Sequence, residues 1–169
     1  MKNYFLLFSF FLLMLTNCSG YEFTYSKDPI IKEIESHTHV KLLGDDVSIA
    51  KIKFKNIVGK AKKDIKFVIN ASIKRTSNPV VIEKDATASK TEIKHVVNYS
   101  LLSQINNCKI LSKNITTLST FSSSSSGYSF STDLSKDEII KKNISANIDE
   151  FVDFIVSFGG PLNCQKNED

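Results

Sequence analysis

Residues 65–102, IKFVINASIKRTSNPVVIEKDATASKTEIKHVVNYSLL, contain two alternating stretches with turn-forming residues between them. From Ile65 to Arg75 an apolar side chain occupies every second position. From Ala86 to Leu102 one parity carries mostly apolar and aromatic residues with His95 among them. A period of two is typical of a strand with one buried face. The stretch therefore predicts two long paired strands, with a turn at Thr76-Ser77-Asn78-Pro79.

Toward the C-terminus, a turn at Asn106-Asn107 leads into a third strand over Lys109–Phe121. The serine run Ser122–Ser126 predicts a flexible loop. Ser135-Lys136-Asp137-Glu138 has the pattern of a capping box and predicts a helix start. Gly159-Gly160-Pro161 predicts its end. Between these signals the predicted helix carries one apolar stripe, formed by Ile140, Ile144, Ile148, Phe151, Val152 and Ile155.

Toward the N-terminus the pattern is less decisive. A loose alternation over Ile30–Leu43 predicts a first strand. Over Asp45–Lys63 a helical stripe competes with a strand-like alternation of Ala50, Ile52 and Phe54 with lysines. We favour a helix there, with Asp45 or Asp46 as its cap, and the strand remains an open alternative. The helical stripe consists of Val47, Ala50, Phe54, Ile57, Val58 and Ala61.

The order of elements is strand, helix, three strands and helix. It predicts a two-layer α+β fold, with a small, mostly antiparallel four-stranded sheet and two helices on one face. The 169 residues suit one domain, which we place at residues 30–160, with 161–169 as a tail. With 24% charged and 41% hydrophobic residues, the composition is that of a globular protein and excludes full disorder. A net charge of +4 is too small to indicate nucleic-acid binding, so no nucleic-acid partner is expected.

The first 17 residues predict a signal peptide. Lys2 is followed by an apolar run from Phe5 to Leu15, which is shorter than the roughly 20 residues of a membrane span. Leu15-Thr16-Asn17-Cys18 resembles the lipobox of bacterial lipoproteins, although Asn17 replaces the usual small residue. The resemblance implies lipidation at Cys18, with residues 18–29 as a lipidated linker. An ordinary cleaved signal or a short uncleaved anchor is the alternative.

The two remaining cysteines, Cys108 and Cys164, allow two states. Lipidation at Cys18 would place the chain in the periplasm, a compartment that permits disulfides. The pair is therefore a candidate disulfide between a strand start and the C-terminal tail. Sequence gives no Cα separation, and two separate thiols remain the other alternative.

No constellation for catalysis stands out. His37-Thr38-His39 places two imidazoles on one strand face, but a metal site needs a third ligand and none is near. His95 lies within a strand and is expected to be packed or to face a pore. No serine stands in a G-x-S-x-G motif, and the two candidate thiols have no C-x-x-C spacing. We therefore expect no enzymatic activity, no catalytic residue, no metal and no cofactor.

Three features together resemble the LPS-assembly lipoprotein family, called LptE or RlpB. The first is Cys18-Ser19-Gly20-Tyr21, a lipobox cysteine followed by a glycine and an aromatic residue. The second is Phe67–Leu102, which looks like the family's paired strands. The third is Tyr128–Phe158, a segment with serine and phenylalanine followed by an amphipathic helix that begins with acidic residues. The resemblance covers most of residues 18–158 and lies in pattern and order.

The resemblance implies a non-catalytic role at the outer membrane. Such lipoproteins are lipid-anchored on its periplasmic side and plug a large β-barrel partner, LptD. Together the two proteins carry lipopolysaccharide (LPS) to the cell surface, and the plug assists assembly of the barrel. The implied partners are thus an LptD-like barrel, LPS and the membrane itself through the anchor.

LPS carries phosphates, so cations near the hairpin of the paired strands are candidate contacts. They are Lys74, Arg75, Lys84, Lys90 and Lys94. Arg75 is the only arginine and the one side chain of the set that can hold a phosphate through two N–H groups. The alternative is that these cations are simply solvated. A rival function also remains, that of a free-standing periplasmic or surface lipoprotein that binds a ligand or a host surface.

Overall fold

The computed structural model describes residues 29–61, 64–82, 88–122 and 129–158, together with Leu162 and Cys164. Several predictions fall outside these residues. They are the signal peptide 1–17, the lipidation site Cys18, the linker up to residue 28, Lys84, the serines 123–126, the Gly159-Gly160-Pro161 stop and most of the tail.

Three helices and four strands make up the described chain. The helices are α1 (Pro29–Ile34), α2 (Val47–Val58) and α3 (Ser129–Ser157). The strands are β1 (Thr38–Gly44), β2 (Phe67–Ile82), β3 (Ala88–Ser103) and β4 (Cys108–Ser122).

The strands form one sheet in the order β1-β2-β3-β4. β1 runs parallel to β2, with Thr38 opposite Phe67, and α2 supplies the crossover that a parallel pair needs. The pairs β2–β3 and β3–β4 are antiparallel. The predicted two-layer α+β fold with a mostly antiparallel four-stranded sheet is confirmed.

The core lies between the sheet and the helices. The residues buried there include the alternating apolar set of β2 from Phe67 to Ile73, the odd-numbered residues of β3 from Ile93 to Leu101, and the predicted stripe of α3. From α2, Ala50, Phe54 and Val58 join the core, which confirms the helical interpretation of this segment. Tyr99 stands at the centre, with its ring stacked on Phe151 at 4.1 Å between centroids and edge-on to Phe54.

The predicted turn at Thr76–Pro79 is wrong, because β2 continues through it to Ile82. β1 ends where Gly44 lies opposite Ile73, so beyond Ile73 one side of β2 is a sheet edge. At an edge, a proline without an N–H removes no ladder bond, and Pro79 is accommodated opposite Thr91 with a register shift just after it.

The predicted strand over Ile30–Leu43 is wrong in its first half. Pro29 opens α1, where its missing N–H costs nothing, and Ile31 and Ile34 bury one helical face. The strand begins only at Thr38, whose hydroxyl donates to the carbonyl of Ile34 at 2.8 Å.

The predicted capping box at Ser135 is also wrong as a helix start. α3 begins at Ser129, and no proline or glycine between that residue and Ser135 interrupts it. Ser135 therefore lies inside the helix, where the backbone N–H groups already have acceptors in the preceding turn.

Cys108 and Cys164 form a disulfide, with their Cα atoms 5.7 Å apart. The bridge joins the first residue of β4 to the segment beyond α3. Leu162, two residues before Cys164, packs into the core.

Candidate functional site

One face of the sheet carries no helix among the described residues, and we call it the open face. Strand register assigns its side chains, because paired residues point to the same side of a sheet. They are His39, Lys41 and Leu43 of β1, Val68, Asn70, Ser72, Lys74, Thr76 and Asn78 of β2, Lys90, Glu92, Lys94, Val96, Asn98 and Ser100 of β3, and Ser112, Asn114, Thr116, Leu118, Thr120 and Ser122 of β4. All of them are exposed or half-buried.

The centre of the open face is made of small amides and hydroxyls. The Asn114 amide donates to Asn98 Oδ1 at 2.5 Å, and the Asn70 amide approaches Ser100 Oγ at 3.4 Å. A shallow recess of about 400 Å³ lies there, next to Leu43, whose side chain is 72% exposed. Most of the donors and acceptors on this face still point to solvent, so the face can form hydrogen bonds over a wide area.

The cations predicted to contact phosphate divide between the two sides of the sheet. Lys74, Lys90 and Lys94 share the open side, where Lys94 lies opposite Thr76 and Lys74 opposite Val96. Arg75 lies opposite His95 on the side that faces the helices. The structure therefore groups three lysines and separates them from the arginine.

Arg75 is held by two neighbouring carboxylates. Its Nη1 lies 2.7 Å from Asp46 Oδ1, and its backbone N–H donates to Asp45 Oδ2 at 2.7 Å. The same Asp46 accepts a hydrogen bond at 2.9 Å from Nε2 of His95, which is fully buried. We assign Nε2 as the protonated nitrogen because an ionised carboxylate only accepts. His95 Nδ1 then remains without a partner among the described residues.

Sequence reasoning proposed Asp46 only as a helix cap and missed this cluster. Asp46 does begin α2, since its carbonyl accepts from Ile49 and Ala50, but its side chain caps nothing. Its backbone is left-handed, with φ 52°, so the carboxylate turns toward the sheet. A signal was present, because Arg75 and His95 each fall on the buried parity of their strand, where a charged or polar side chain needs a partner.

A second buried polar network ties α3 to the sheet. The Tyr99 hydroxyl donates to Asn147 Oδ1 at 2.7 Å, and the Asn147 amide donates to the Ile115 carbonyl and to Thr117 Oγ1. The Asn143 amide donates to the Ile93 carbonyl at 3.0 Å. Burial, and then the charge of Glu150, raise the pKa of the Tyr99 hydroxyl above its usual range. The hydroxyl therefore stays protonated and able to donate.

The histidine pair shows no ligand set. Between His37 and His39 stands the buried Thr38, and His37 Nδ1 lies 3.0 Å from the Glu35 carbonyl. Within the described ranges no group of three or more His, Cys, Asp or Glu residues is placed to hold a metal ion. None of the helices in these ranges is both long and apolar enough to span a membrane.

Comparison with known proteins identifies the fold. No family model matches the chain, and no curated protein does. Among solved structures, a lipoprotein from Caulobacter crescentus CB15 superposes with a TM-score of 0.58 at 10% identity, over 78% of this chain and 98% of that one. A minor lipoprotein from Acinetobacter baumannii gives 0.53 at 11% identity, over 76% and 96%. The rare lipoprotein B of Shewanella oneidensis gives 0.50 at 9% identity, over 71% and 95%.

These likenesses define the class of fold. The chain has the α+β fold of bacterial lipoproteins that include a rare lipoprotein B, and it spans nearly the whole of each one. At these identities the likeness extends to the fold alone.

Proposed function

We propose that this chain is an outer-membrane lipoprotein of the LptE or RlpB kind, anchored through Cys18 on the periplasmic side. In this role it plugs an LptD-like β-barrel, assists assembly of the barrel and takes part in LPS transport to the cell surface. Three features support the proposal: the lipobox-like sequence at Cys18, the fold shared with rare lipoprotein B, and the open face. No catalytic step is assigned to the chain.

The open face is the observation that carries the proposal. A barrel lumen is wet and lined by polar groups, so a plug needs a surface that exchanges hydrogen bonds with water and side chains at little cost. The amides and hydroxyls around Ser72, Asn98 and Asn114 provide such a surface, on the one side of the sheet that no described helix covers. An apolar sheet face of this size would instead need a dry partner.

The cations of the open face suit the phosphates of LPS. Lys74, Lys90 and Lys94 each offer an ammonium group, and none of the three forms an ion pair with a described residue. Arg75 already forms an ion pair with Asp46, so we assign it a structural role and not a phosphate contact.

The proposal is tested by depletion combined with crosslinking. Photoreactive residues at Ser72 and Thr116, on the open face, should crosslink to an outer-membrane barrel in intact cells. Depletion of the lipoprotein should leave that barrel misassembled and keep labelled LPS from the surface. Normal surface LPS after depletion would refute the proposal. Absent crosslinks together with cleavage by protease added to intact cells would favour the free-standing binding lipoprotein.

A further inference from the structure

A groove separate from the open face runs along the outer edge of β1. We call it the edge groove. It has a volume of about 430 Å³ and lies between β1 and α2. Its apolar lining consists of Val40 and Leu42 from the strand, Val47, Phe54 and Val58 from the helix, and Ala61 just beyond the helix. β1 is the terminal strand of the sheet, and no described residue pairs with its outer edge.

Two hydrogen bonds show which backbone groups of β1 face the groove. Phe67 N–H donates to the His37 carbonyl at 3.1 Å, and Asp45 N–H donates to the Ile73 carbonyl at 3.1 Å. In a parallel ladder the residues that bond the neighbour alternate with those that point away from it. The odd-numbered residues of β1 therefore face β2, and the N–H and C=O groups of Val40 and Leu42 point outward into the groove.

The charges at the groove have one sign. Lys51, Lys55 and Lys60 line it, all three are exposed, and no acidic residue lines it. None of the three forms an ion pair with a described residue, in contrast to Lys53 of α2, which is bound to Asp149 of α3 at 2.6 Å. An occupant that brings carboxylates would be attracted to this rim.

We propose that the edge groove binds an extended protein segment with alternating apolar and acidic side chains, which adds to β1 as a fifth strand. The backbone of the segment pairs with Val40 and Leu42, its apolar side chains pack on Phe54 and Val58, and its carboxylates lie near Lys51 and Lys60. Unpaired edge groups supply the affinity in such strand additions, and side-chain pockets supply the specificity. The surface is distinct from the open face and goes beyond the proposed plug role.

The test uses the full-length lipoprotein, purified from membranes in detergent, and a labelled peptide, acetyl-Thr-Val-Glu-Val-Glu-Val-Thr-amide. Fluorescence anisotropy should show saturable binding, and a peptide with lysines in place of the two glutamates should bind at least about tenfold more weakly. Hydrogen exchange followed by mass spectrometry should show that the peptide protects the amides of Val40 and Leu42.

Two variants separate backbone pairing from charge. Val40→Pro removes one outward donor and leaves the ladder to β2 intact, so it should weaken binding about tenfold. Lys51→Gln/Lys60→Gln should weaken it about fivefold at low salt. The matched control, Lys141→Gln/Lys142→Gln on the exposed side of α3, removes the same charge and should change binding less than twofold.

Three outcomes overturn the proposal. One is equal binding of the acidic and basic peptides. Another is full binding by Val40→Pro together with displacement of the peptide by a fatty acid, which would identify a lipid site. The third is slow exchange of the Val40 and Leu42 amides in the protein without peptide, which would mean that another segment of this chain already occupies the edge.

Discussion

Asp46 links the turn between β1 and α2 to the neighbouring strands β2 and β3. Its carboxylate serves both Arg75 and the fully buried His95, while its backbone adopts a left-handed conformation that only Gly, Asn and Asp reach easily. Two residues before it, Gly44 has φ 106°, and a Cβ at that position would run into the Ile73 carbonyl. The turn is thus tied to β2 and β3 by contacts that few other sequences could make.

Substitutions at Asp46 should separate these contributions. Asp46→Ala leaves Arg75 and His95 without their carboxylate acceptor. It also puts alanine, which tolerates a left-handed backbone less well than aspartate, at this position. We therefore expect a loss of about 3 kcal/mol of unfolding free energy. Asp46→Gly relieves the backbone but not the partners and should cost about 2 kcal/mol, and Asp46→Asn should cost about 1 kcal/mol. Urea denaturation measures all three. Equal losses for the three variants would contradict the assigned role of the carboxylate.

The buried hydroxyl of Tyr99 should make the unfolding free energy fall at alkaline pH. Burial raises its pKa in the folded protein above the value of about 10 that it has in the unfolded chain, so the folded state holds this proton more tightly. The resulting stability is fully present below about pH 10 and is lost as the pH rises from there toward the folded pKa. Denaturation between pH 9 and pH 11 should show the decline, and ultraviolet titration should show one tyrosine that ionises only on unfolding.

Tyr99→Phe is the control for this effect. It removes the titrating group and the hydrogen bond to Asn147, so the variant should be less stable at pH 8 by about 1 kcal/mol. Its stability should fall less steeply than that of the parent above pH 10. An unchanged slope would assign the alkaline loss to other groups.

At the scale of elements, the parts that sequence predicts well are those whose burial follows a regular period. The stripe from Ile140 to Ile155 and the alternation from Phe67 to Ile73 both appear in the core as expected. The element ends were misplaced at Thr76–Pro79 and at Ser135, because local turn and cap signals depend on which backbone groups have partners. That information is tertiary, since the tolerance of Pro79 follows from the end of β1.

In the candidate site, too, the features that follow a regular period could be predicted, and those that depend on tertiary contacts could not. Lys74, Lys90 and Lys94 could be placed on one face by parity, and the structure has them on one face. The buried parity of Arg75 indicates that it needs a partner, but not that the partner is Asp46, because 29 residues separate the two and only the parallel crossover brings them together. The open face itself follows from the strand order, which alternation alone does not give.

The disulfide gives an element-scale prediction. It joins the start of β4 to the segment after α3 across a sequence separation of 56 residues, so it restricts the unfolded chain substantially. Cys108→Ser/Cys164→Ser should lower the unfolding free energy by about 2–4 kcal/mol. Thermal unfolding with and without a reductant measures the effect, and the reductant should leave the double variant unchanged. A parent protein insensitive to the reductant, with accessible thiols in alkylation, would contradict the bridge.

At the scale of the whole molecule, the two layers have different tasks. The helix layer covers the apolar side of the sheet through α2 and α3, which are themselves joined by Lys53 and Asp149. The other side of the sheet is the open face, whose polar side chains stay exposed and take no part in the core. A fold that is stabilised from one side can change the chemistry of its open face at little cost in stability, which is the freedom that a docking surface requires.

This separation predicts that docking can be removed without unfolding the protein. Asn98→Leu/Asn114→Leu replaces the central hydrogen-bonded pair of the open face with a cross-strand apolar pair, which sheets tolerate or favour. The melting temperature should therefore stay within about 3 °C of the parent value. The same change adds apolar surface where a wet lumen offers water and polar groups, so the amount of barrel that copurifies should fall at least about fivefold. Ser48→Leu/Asn56→Leu likewise replaces two exposed polar residues with leucine, on α2, and should leave copurification unaltered. Equal losses of barrel in both variants would point to general surface stickiness, and undiminished copurification in the first would move the docking surface away from the open face.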